Sequence, residues 1–179
     1  MKAVEDIAAR ATESHAAAFR ELADRRLEAS YRLACAILGN PVEAQDATHD
    51  AFVQAWRHWP SLRDPDRADH WFSRILVNTC RNRLKRAARW PHEPLERDVA
   101  AAGDQLGQAL DRDVLSAALA TLSPDHQVIV AMRFYRDLTT EQIATELGIR
   151  PGTVSSRLHY AIKRLHAALD ESDARRAVQ

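Results

Sequence analysis

TTEQIATELGIRPGTVSSRLHYAIKRL, residues 139–165, carries the start and stop signals of two short helices. Thr139 can cap the first helix, with Gln142 three positions on as its partner in a capping box. Gly148 stands where a helix end requires a left-handed residue. Pro151 suits the first turn of a new helix, because its missing N–H would have had no intrahelical partner there. The stretch therefore predicts two helices joined by a tight turn that begins at Gly148.

The second of these helices has an apolar face and a polar face. Its apolar residues recur every three or four positions, as in Val154, Leu158, Ala161 and Leu165. Hydroxyls, an imidazole, a phenol and cations lie on the other side, where they can contact base edges and phosphates in a major groove. The residues concerned are Ser155, Ser156, His159, Tyr160 and Lys163, with Arg157 at the flank. This is typical of a DNA-reading helix-turn-helix, although a solvated surface helix would have the same pattern.

The composition favours an all-α protein of one domain or two small ones. Aromatic residues make up 6% of the 179 positions, glycines number five, and long alanine- and arginine-rich stretches have helical periodicity. We find no apolar run that could span a membrane and no leader pattern, which predicts a cytoplasmic protein without membrane insertion. Cys35 and Cys80 lie far apart in helical patterns, so we expect two reduced thiols, mostly buried, and no metal site.

The charges are segregated, although the formal net charge is zero. Between residues 70 and 90 every Lys, Arg, Asp or Glu is a cation: Arg74, Arg81, Arg83, Lys85, Arg86 and Arg89. Between residues 91 and 113 six acidic residues stand against two arginines. A basic helix therefore runs into an acidic segment, and this distribution says more about binding partners than the net charge does.

Prolines and small residues from about Trp90 to Arg112 predict a linker between an N-terminal and a C-terminal helical domain. In the N-terminal domain, Gly39-Asn40-Pro41 ends a long helix whose apolar positions are Phe19, Leu22, Leu27, Tyr31, Ala34 and Leu38. A second helix follows from about Val42 to Trp59. Its predicted buried stripe is Thr48, Phe52, Ala55, Trp56 and Trp59, and a separate acidic face holds Asp46, His49, Asp50 and Val53.

A loop over residues 60–69 leads into the basic helix, predicted from Asp69 to about Arg89. Phe72, Ile75, Leu76 and Thr79 face inward, and the opposite side carries a stripe of Arg74, Asn78, Arg81, Lys85 and Arg89. Trp71 lies at the edge of this stripe. A row of cations beside an indole suits single-stranded nucleic acid, because cations track phosphates and the ring can stack on a base. The alternative is that Trp71 belongs to the core and the arginines are merely solvated.

These motifs together resemble the extracytoplasmic-function class of bacterial RNA polymerase sigma factors. The resemblance rests on five segments: EAQDATHDAFVQAWR at 43–57, WFSRILVN at 71–78, LSP at 122–124, QIATELG at 142–148 and GTVSSRLH at 152–159. They extend over nearly the whole chain, and their order and spacing make the joint match specific.

The resemblance implies an all-α fold of two small helical domains joined by a flexible acidic linker. A sigma-2 domain would occupy residues 1–90, the linker residues 91–112, and a sigma-4 domain with its helix-turn-helix residues 113–179. The implied function is that of a sigma factor, which directs core polymerase to specific promoters and helps to melt them for transcription initiation. No cofactor, metal or catalytic residue is implied.

The resemblance also assigns surfaces to partners. On the polymerase core, the β′ clamp helices would bind Asp46, His49, Asp50 and Val53, and the β flap would be a second contact. The minus-ten promoter element would meet Arg63, Asp66, Trp71, Arg74, Asn78, Arg81 and Lys85. The minus-thirty-five element would meet Ser155, Ser156, Arg157, His159, Tyr160 and Lys163. An anti-sigma factor is a further partner that the family implies.

Two other interpretations fit parts of the sequence. An autonomous helix-turn-helix regulator of duplex DNA would explain residues 139–165 but leaves the basic helix around Trp71 without a role. A metal-dependent hydrolase would use His49, Asp50, His58 and His70. However, His49 and Asp50 are neighbours on a helix, so their side chains diverge, and His58 lies off their face. The sequence also contains no HExxH motif, phosphate loop or nucleophile elbow.

Overall fold

The computed structural model describes residues 2–89 and 107–176, which form seven α-helices and no β-strand. The predicted linker from Trp90 to Arg112 lies outside the described residues up to position 106. Its last part, from Gly107, already belongs to a helix. The helix can begin this early because a glycine is tolerated at a helix end and no proline follows until Pro124.

The two longest N-terminal helices, α1 (Lys2–Leu38) and α2 (Pro41–His58), meet at the predicted break. Gly39 adopts the left-handed conformation with φ of 66°. Asn40 then caps α2, because its Oδ1 accepts hydrogen bonds from the backbone N–H groups of Val42 and Glu43 at 2.9 and 3.0 Å. Since Pro41 follows at the first helical position, the chain reverses direction with its terminal N–H groups satisfied.

Two short 3₁₀ turns, Trp59–Ser61 and Pro65–Arg67, bring the chain into helix α3 (Ala68–Arg89). The predicted loop over residues 60–69 is therefore partly helical. Asp64 holds the second turn, because its Oδ1 accepts a hydrogen bond from the Asp66 N–H at 3.1 Å. This side-chain cap lets α3 begin one residue before the predicted start.

Helices α1, α2 and α3 pack around the fully buried Phe72 of α3. The Phe52 ring of α2 stacks on it, with ring centroids 4.4 Å apart. Helix α2 otherwise presents four alanines without exposed surface to this core, and such small side chains allow close helix approach: Ala44, Ala47, Ala51 and Ala55. Burial of a side chain as large as Phe72 contributes about 2 kcal/mol relative to its exposure.

Trp56, which the periodicity predicted to be buried, is exposed, and so is Leu27, one of the apolar positions of the first helix. Trp56 is 46% exposed because it lies at the rim of the core, where its ring packs on Phe19 with centroids 5.1 Å apart. Leu27 is 55% exposed. It stands about 140° around the helix from the buried Leu22, so the two cannot face the same centre.

The C-terminal helices are α4 (Gly107–Ala120), α5 (Pro124–Val130), α6 (Thr140–Leu147) and α7 (Pro151–Arg176). A π-helical segment, Ala131–Tyr135, continues α5. The predicted capping box is confirmed: the Gln142 N–H donates to Thr139 Oγ1, and the Thr139 N–H donates to Gln142 Oε1 at 2.8 Å. Gly148 adopts φ of 65° and ends α6 as predicted.

The larger of two buried hydrophobic clusters among the described residues contains side chains from both the N-terminal and the C-terminal helices, and the smaller one, Leu122, Val130 and Ala161, lies within the C-terminal half. Val128 and Ile129 of α5 and Met132 of the π-helical segment belong to the same buried cluster as Phe72 and Leu22. Helix α3 contacts both α5 and α6, and α1 contacts the π-helical segment. The sequence predicted two helical domains, and it could not show that they are packed against each other.

A buried carboxylate lies at the contact between α3 and α6. Glu146 is 4% exposed. Its Oε2 accepts a hydrogen bond from Ser73 Oγ at 2.6 Å and another from Arg136 Nη1 at 2.8 Å. His70 Nδ1 stands 4.0 Å from the other carboxylate oxygen. Since Ser73 and His70 belong to α3, this cluster joins the two halves of the protein.

We expect Glu146→Gln to lower the free energy of unfolding by about 2 kcal/mol, because Arg136 would lose its charged partner in a buried site. Urea denaturation of the full chain measures this change. Glu141→Gln, on the exposed side of the same helix, is the matched control and should cost less than about 1 kcal/mol. Equal losses in the two variants would contradict a special role for the buried carboxylate.

Candidate nucleic-acid and polymerase interfaces

The outer face of α7 is exposed along its first turns. Ser155, Ser156, His159, Tyr160 and Lys163 are all exposed, as their spacing predicted. The rings of His159 and Tyr160 lie edge to face, with centroids 6.0 Å apart. The Ser156 hydroxyl donates to the Thr153 carbonyl at 3.1 Å, so it points back along its own helix. These side chains form a polar surface that a DNA groove could reach.

Arg157 differs from its neighbours on α7. It is half-buried, and its Nη2 lies 3.4 Å from Asp125 Oδ2 in the first turn of α5. The sequence placed Arg157 at the flank of the recognition face, free to clamp a phosphate. In the folded chain its guanidinium already faces a carboxylate.

The cationic stripe of α3 points outward, as predicted. Arg74, Asn78, Lys85 and Arg89 are exposed, and Arg81 is half-buried. Arg81 Nη1 lies 3.6 Å from Asp125 Oδ1. Arg74 also meets the C-terminal helices, because its Nη2 lies 3.3 Å from the position that a Cβ on Gly148 would occupy. Part of the stripe is therefore covered by the helix-turn-helix half of the molecule.

Trp71 belongs partly to the core and stays partly accessible to solvent. Its ring contacts the buried Trp59 edge to face, with centroids 6.0 Å apart, and it packs at the margin of the shared core. The side chain nevertheless remains half-buried, not fully buried. Arg63 and Asp66, in the preceding loop, are exposed. The indole edge and these loop side chains thus lie next to one another in sequence and are open to solvent.

The acidic face of α2 is partly neutralised by a residue of α3. Asp46 and His49 are exposed, and Asp50 and Val53 are half-buried. Arg83 donates to Asp50 Oδ2 and to Glu43 Oε2, both at 2.6 Å, and it lies 3.9 Å from Asp46. Although burial lowers the pKa of Arg83, the hydrogen bonds that it donates to Asp50 and Glu43 outweigh this effect and raise its pKa.

The sequence pattern did not reveal this role of Arg83. Its charge was counted with the basic helix, yet residue 83 stands about 180° around the helix from Arg74. The position of Arg83 on the side of α3 away from the stripe was a signal in the sequence that it has a different partner. That the partner is α2 could be identified only from the packing of the helices.

Two sigma-70 family models match the chain: region 2 over residues 22–90 and region 4 over residues 118–167. A known relative is the ECF RNA polymerase sigma factor SigL of Mycobacterium tuberculosis. It is 34% identical over 170 residues, which cover 90% of this chain and 94% of that protein. The chain belongs to the extracytoplasmic-function sigma factors.

Other relatives agree with this sigma-factor assignment. The RNA polymerase sigma-E factor of Streptomyces avermitilis is 33% identical over 156 residues, with 87% of each chain covered. The fold resembles CnrH, solved with the cytosolic domain of CnrY, at a TM-score of 0.63, 25% identity and coverage of 92% and 95%. It also resembles RpoE of Bartonella quintana, solved with the anti-sigma factor NepR, at a TM-score of 0.64, 24% identity and coverage of 85% and 96%.

As a sigma factor, the protein directs core RNA polymerase to specific promoters and helps to open them for transcription initiation. The region 2 match contains the acidic face of α2 and the cationic stripe of α3. The region 4 match contains the helix-turn-helix. We call the corresponding parts of the structure the sigma-2 domain (α1–α3) and the sigma-4 domain (α4–α7).

An apolar cavity of about 380 Å³ lies between the sigma-2 and sigma-4 domains. The end of α1 contributes one wall, and the sigma-4 helices contribute the other through Leu119, Val130, Phe134 and Leu165. Cys35 lies in the α1 wall of the cavity as a half-buried free thiol. Cys80 is also free but lies in the core, where burial raises its pKa to about 12. The two thiols were predicted, whereas the cavity was not, because it forms only where the domains meet.

The histidines considered for a metal site do not assemble into one. His58 Nδ1 is hydrogen-bonded to the Gln54 carbonyl of its own helix at 2.8 Å, and His70 faces Glu146. Within residues 2–89 and 107–176, no group of three His, Cys, Asp or Glu side chains is placed to hold a metal ion. Within the same residues, no helix has the length and apolar character needed to cross a membrane.

We expect Arg83→Ala to lower the free energy of unfolding by about 1 to 2 kcal/mol, because α2 and α3 lose two charge-assisted hydrogen bonds. Arg83→Lys should recover less than half of this loss, since one ammonium group cannot bridge two carboxylates as a guanidinium does. Urea denaturation measures both. Arg86→Ala, at an exposed position of the same helix, is the control, and a similar loss there would argue against the bridge.

Proposed function

We propose that this sigma factor uses three separate surfaces: the acidic face of α2 for polymerase, the stripe of α3 for the opened minus-ten element, and the outer face of α7 for the minus-thirty-five element. The observation that carries the proposal is the segregation of charge across α2 and α3. Carboxylates lie on the outer side of α2, and cations lie on the opposite side of α3 from Arg83. Each surface can therefore attract a partner of opposite charge.

Polymerase docking is assigned to Asp46, His49, Asp50 and Val53, with the β′ clamp helices as partner. Asp46 is the most accessible acid of this face, with its side chain 61% exposed, whereas Asp50 shares a hydrogen bond with Arg83. Arg83 holds the Asp50 and Glu43 carboxylates in fixed positions, so part of the entropic cost of docking is already met in the free protein. The β flap is the proposed second contact on the polymerase.

Promoter opening is assigned to the loop and stripe of the sigma-2 domain. Arg63 and Asp66 would border the pocket for a flipped base, and Trp71 would stack at its edge. Cations on α3 would follow the separated strand: Arg74, Arg81 and Lys85, with Asn78 between them. The opening needs no nucleotide hydrolysis, because tighter binding to single-stranded than to duplex promoter can offset the unstacking cost of a few kcal/mol. We therefore propose a binding function and no enzymatic one.

Reading of the minus-thirty-five element is assigned to Ser156, His159 and Lys163, with Ser155 and Tyr160 beside them and Arg157 on phosphate. Members of the family commonly carry cations where Ser155 and Tyr160 stand. Fewer cations on this face imply weaker phosphate contacts, so base-edge contacts carry a larger share of recognition.

An anti-sigma factor is a further proposed partner. RpoE of Bartonella quintana was solved with the anti-sigma factor NepR, and CnrH was solved with the cytosolic domain of CnrY. The wall of the interdomain cavity, with the exposed rings of Phe134 and Tyr135 beside it, offers apolar contacts to a partner of this kind. We expect the protein to act where its polymerase is, in the cytoplasm.

Run-off transcription tests the proposed function. Core polymerase and candidate promoter fragments are incubated with and without the full chain. Transcripts that require both the chain and the core support the proposal. A chain that binds duplex DNA tightly by itself but produces no core-dependent transcript would instead be an autonomous regulator.

We expect Asp46→Lys to weaken binding to core polymerase by about tenfold or more, because it places a cation on a surface proposed to meet cations. Asp46 is the preferred site for this change, since its contact with Arg83 is an ion pair at 3.9 Å and the two 2.6 Å hydrogen bonds of Arg83 go to Glu43 and Asp50. Asp24→Lys, on the exposed side of α1, reverses the same charge elsewhere on the sigma-2 domain. The measurement is the affinity for core, and equal affinities of the two variants would remove Asp46 from the docking surface.

We expect Lys85→Ala, and more strongly Arg81→Ala with Lys85→Ala, to slow promoter opening more than closed-complex formation. These side chains are proposed to contact the separated strand, which exists only after melting. Permanganate reactivity of unpaired thymines measures opening, and duplex binding by the holoenzyme measures closed-complex formation. Normal opening with weakened duplex binding would place the stripe on duplex phosphates instead.

A further inference from the structure

Asp125 stands between the two surfaces that are proposed to bind DNA. It follows the N-cap Ser123 and Pro124 in the first turn of α5. Its Oδ1 lies 3.6 Å from Arg81 of the α3 stripe, and its Oδ2 lies 3.4 Å from Arg157 of the recognition helix. One carboxylate therefore faces a guanidinium from each DNA-facing helix.

We propose that Asp125 acts as an internal substitute for DNA phosphate, which holds Arg81 and Arg157 in the free protein and must release them when the promoter binds. This inference rests on the proposed function, since it assumes that both arginines contact DNA. It adds a residue that controls how readily each surface becomes available.

The contacts of Asp125 are close enough for attraction but poor as hydrogen bonds. Asp125 Oδ1 and Arg81 Nε are buried, and neither atom has a hydrogen-bond partner in the part of the chain that the structure describes. A separation of 3.6 Å is longer than a charge-assisted hydrogen bond, which is about 2.8 Å. A phosphate can approach a guanidinium closely and in a bidentate manner. Exchange of Asp125 for phosphate therefore improves the hydrogen bonding of Arg81.

The three side chains are sufficiently shielded for the attraction to matter. Asp125 is 30% exposed, Arg81 35% and Arg157 32%, so water and salt screen these pairs less than they would screen fully exposed ones. The two pairs also differ in what they require. The Arg81 pair spans the two domains and is lost if they separate, whereas the Arg157 pair lies within the sigma-4 domain and persists.

This difference predicts two separable effects of one residue. Toward single-stranded DNA, Asp125 competes through Arg81 and only while the sigma-4 domain covers α3. Toward duplex DNA, Asp125 competes through Arg157 whether the domains are together or apart. A purely structural role for Asp125 is available as well, because an acid in the first helical turn interacts favourably with the helix dipole. The test has to separate that role from competition.

The test measures binding of the full chain to two fluorescent probes, a short random-sequence duplex and an oligothymidine single strand. Asp125→Asn should bind both probes about fivefold more tightly than the unaltered chain at low salt, and the gain should shrink as salt rises. Asp137→Asn is the matched control, because Asp137 is also near an arginine, Arg133 at 3.7 Å, but is fully exposed. Its φ of 50° suits asparagine equally well. The control should gain less than about twofold.

Two double variants identify the mechanism. In a background of Arg157→Gln the gain from Asp125→Asn on the duplex should disappear, and in a background of Arg81→Gln the gain on the single strand should disappear. A duplex gain that persists with Arg157→Gln together with a single-strand gain that persists with Arg81→Gln, or a gain equal to that of Asp137→Asn, would overturn the proposal, since it would reflect net charge alone. A loss of binding together with a lower unfolding midpoint in Asp125→Asn would also overturn it, in favour of the helix-dipole role.

The outcome is distinguishable from failure of the proposed function. If the unaltered chain supports core-dependent transcription but Asp125→Asn gains nothing on either probe, the sigma-factor surfaces stand and the competition is wrong. If Asp125→Asn gains as expected but no core-dependent transcript forms, the competition stands and the promoter role assigned to the two arginines is wrong.

Discussion

The Glu146 carboxylate is buried between α3 and α6, and much of the arrangement of the protein depends on its hydrogen bonds. A buried carboxylate must be bonded on every side or its desolvation is not offset. Arg136 meets part of this requirement from within the sigma-4 domain, whereas Ser73 of α3 meets its part only when the sigma-2 and sigma-4 domains are packed in one relative position. That position also brings Gly148 against Arg74 and Asp125 against Arg81. A local requirement for satisfied hydrogen bonds thus determines which surfaces are covered.

The packing of the sigma-4 domain on the sigma-2 domain covers the proposed binding surfaces unequally. Asp46 and His49 on α2 remain exposed, as do His159 and Lys163 on α7. The stripe of α3 is partly covered by the sigma-4 domain, and its end near Arg89 stays open. Cations crowd this junction: burial, and next the nearby Arg136, lower the pKa of Arg26. The acids Asp69 and Glu146 offset that repulsion, so the junction is held by balanced charge as well as by apolar contact.

A net charge of zero is compatible with DNA binding here because acids and bases occupy different faces. The α3 helix carries its cations on two sides, and each side has a different use. Arg83 binds the carboxylates of α2 and stabilises the sigma-2 domain, whereas Lys85 faces solvent. In the sigma-4 domain, Asp125 likewise pairs with cations, Arg81 and Arg157, that a nucleic acid would otherwise attract. The protein is therefore neutral overall yet strongly polarised locally.

The sequence by itself determined helices α1 to α3, α6 and α7, the ends of α6 and the exposed faces of α3 and α7, because these depend on neighbours within a few positions. The Thr139–Gln142 capping box, the left-handed Gly148 and the inward and outward faces of α3 and α7 were predicted in this way. Periodicity failed at Trp56, where exposure depends on the edge of a core that no local pattern describes. Only the tertiary structure decided that Arg83 bridges to α2, that Glu146 is buried, and that Asp125 faces two arginines. Each of these depends on side chains far apart in sequence, and their partners are chosen by the packing of the helices.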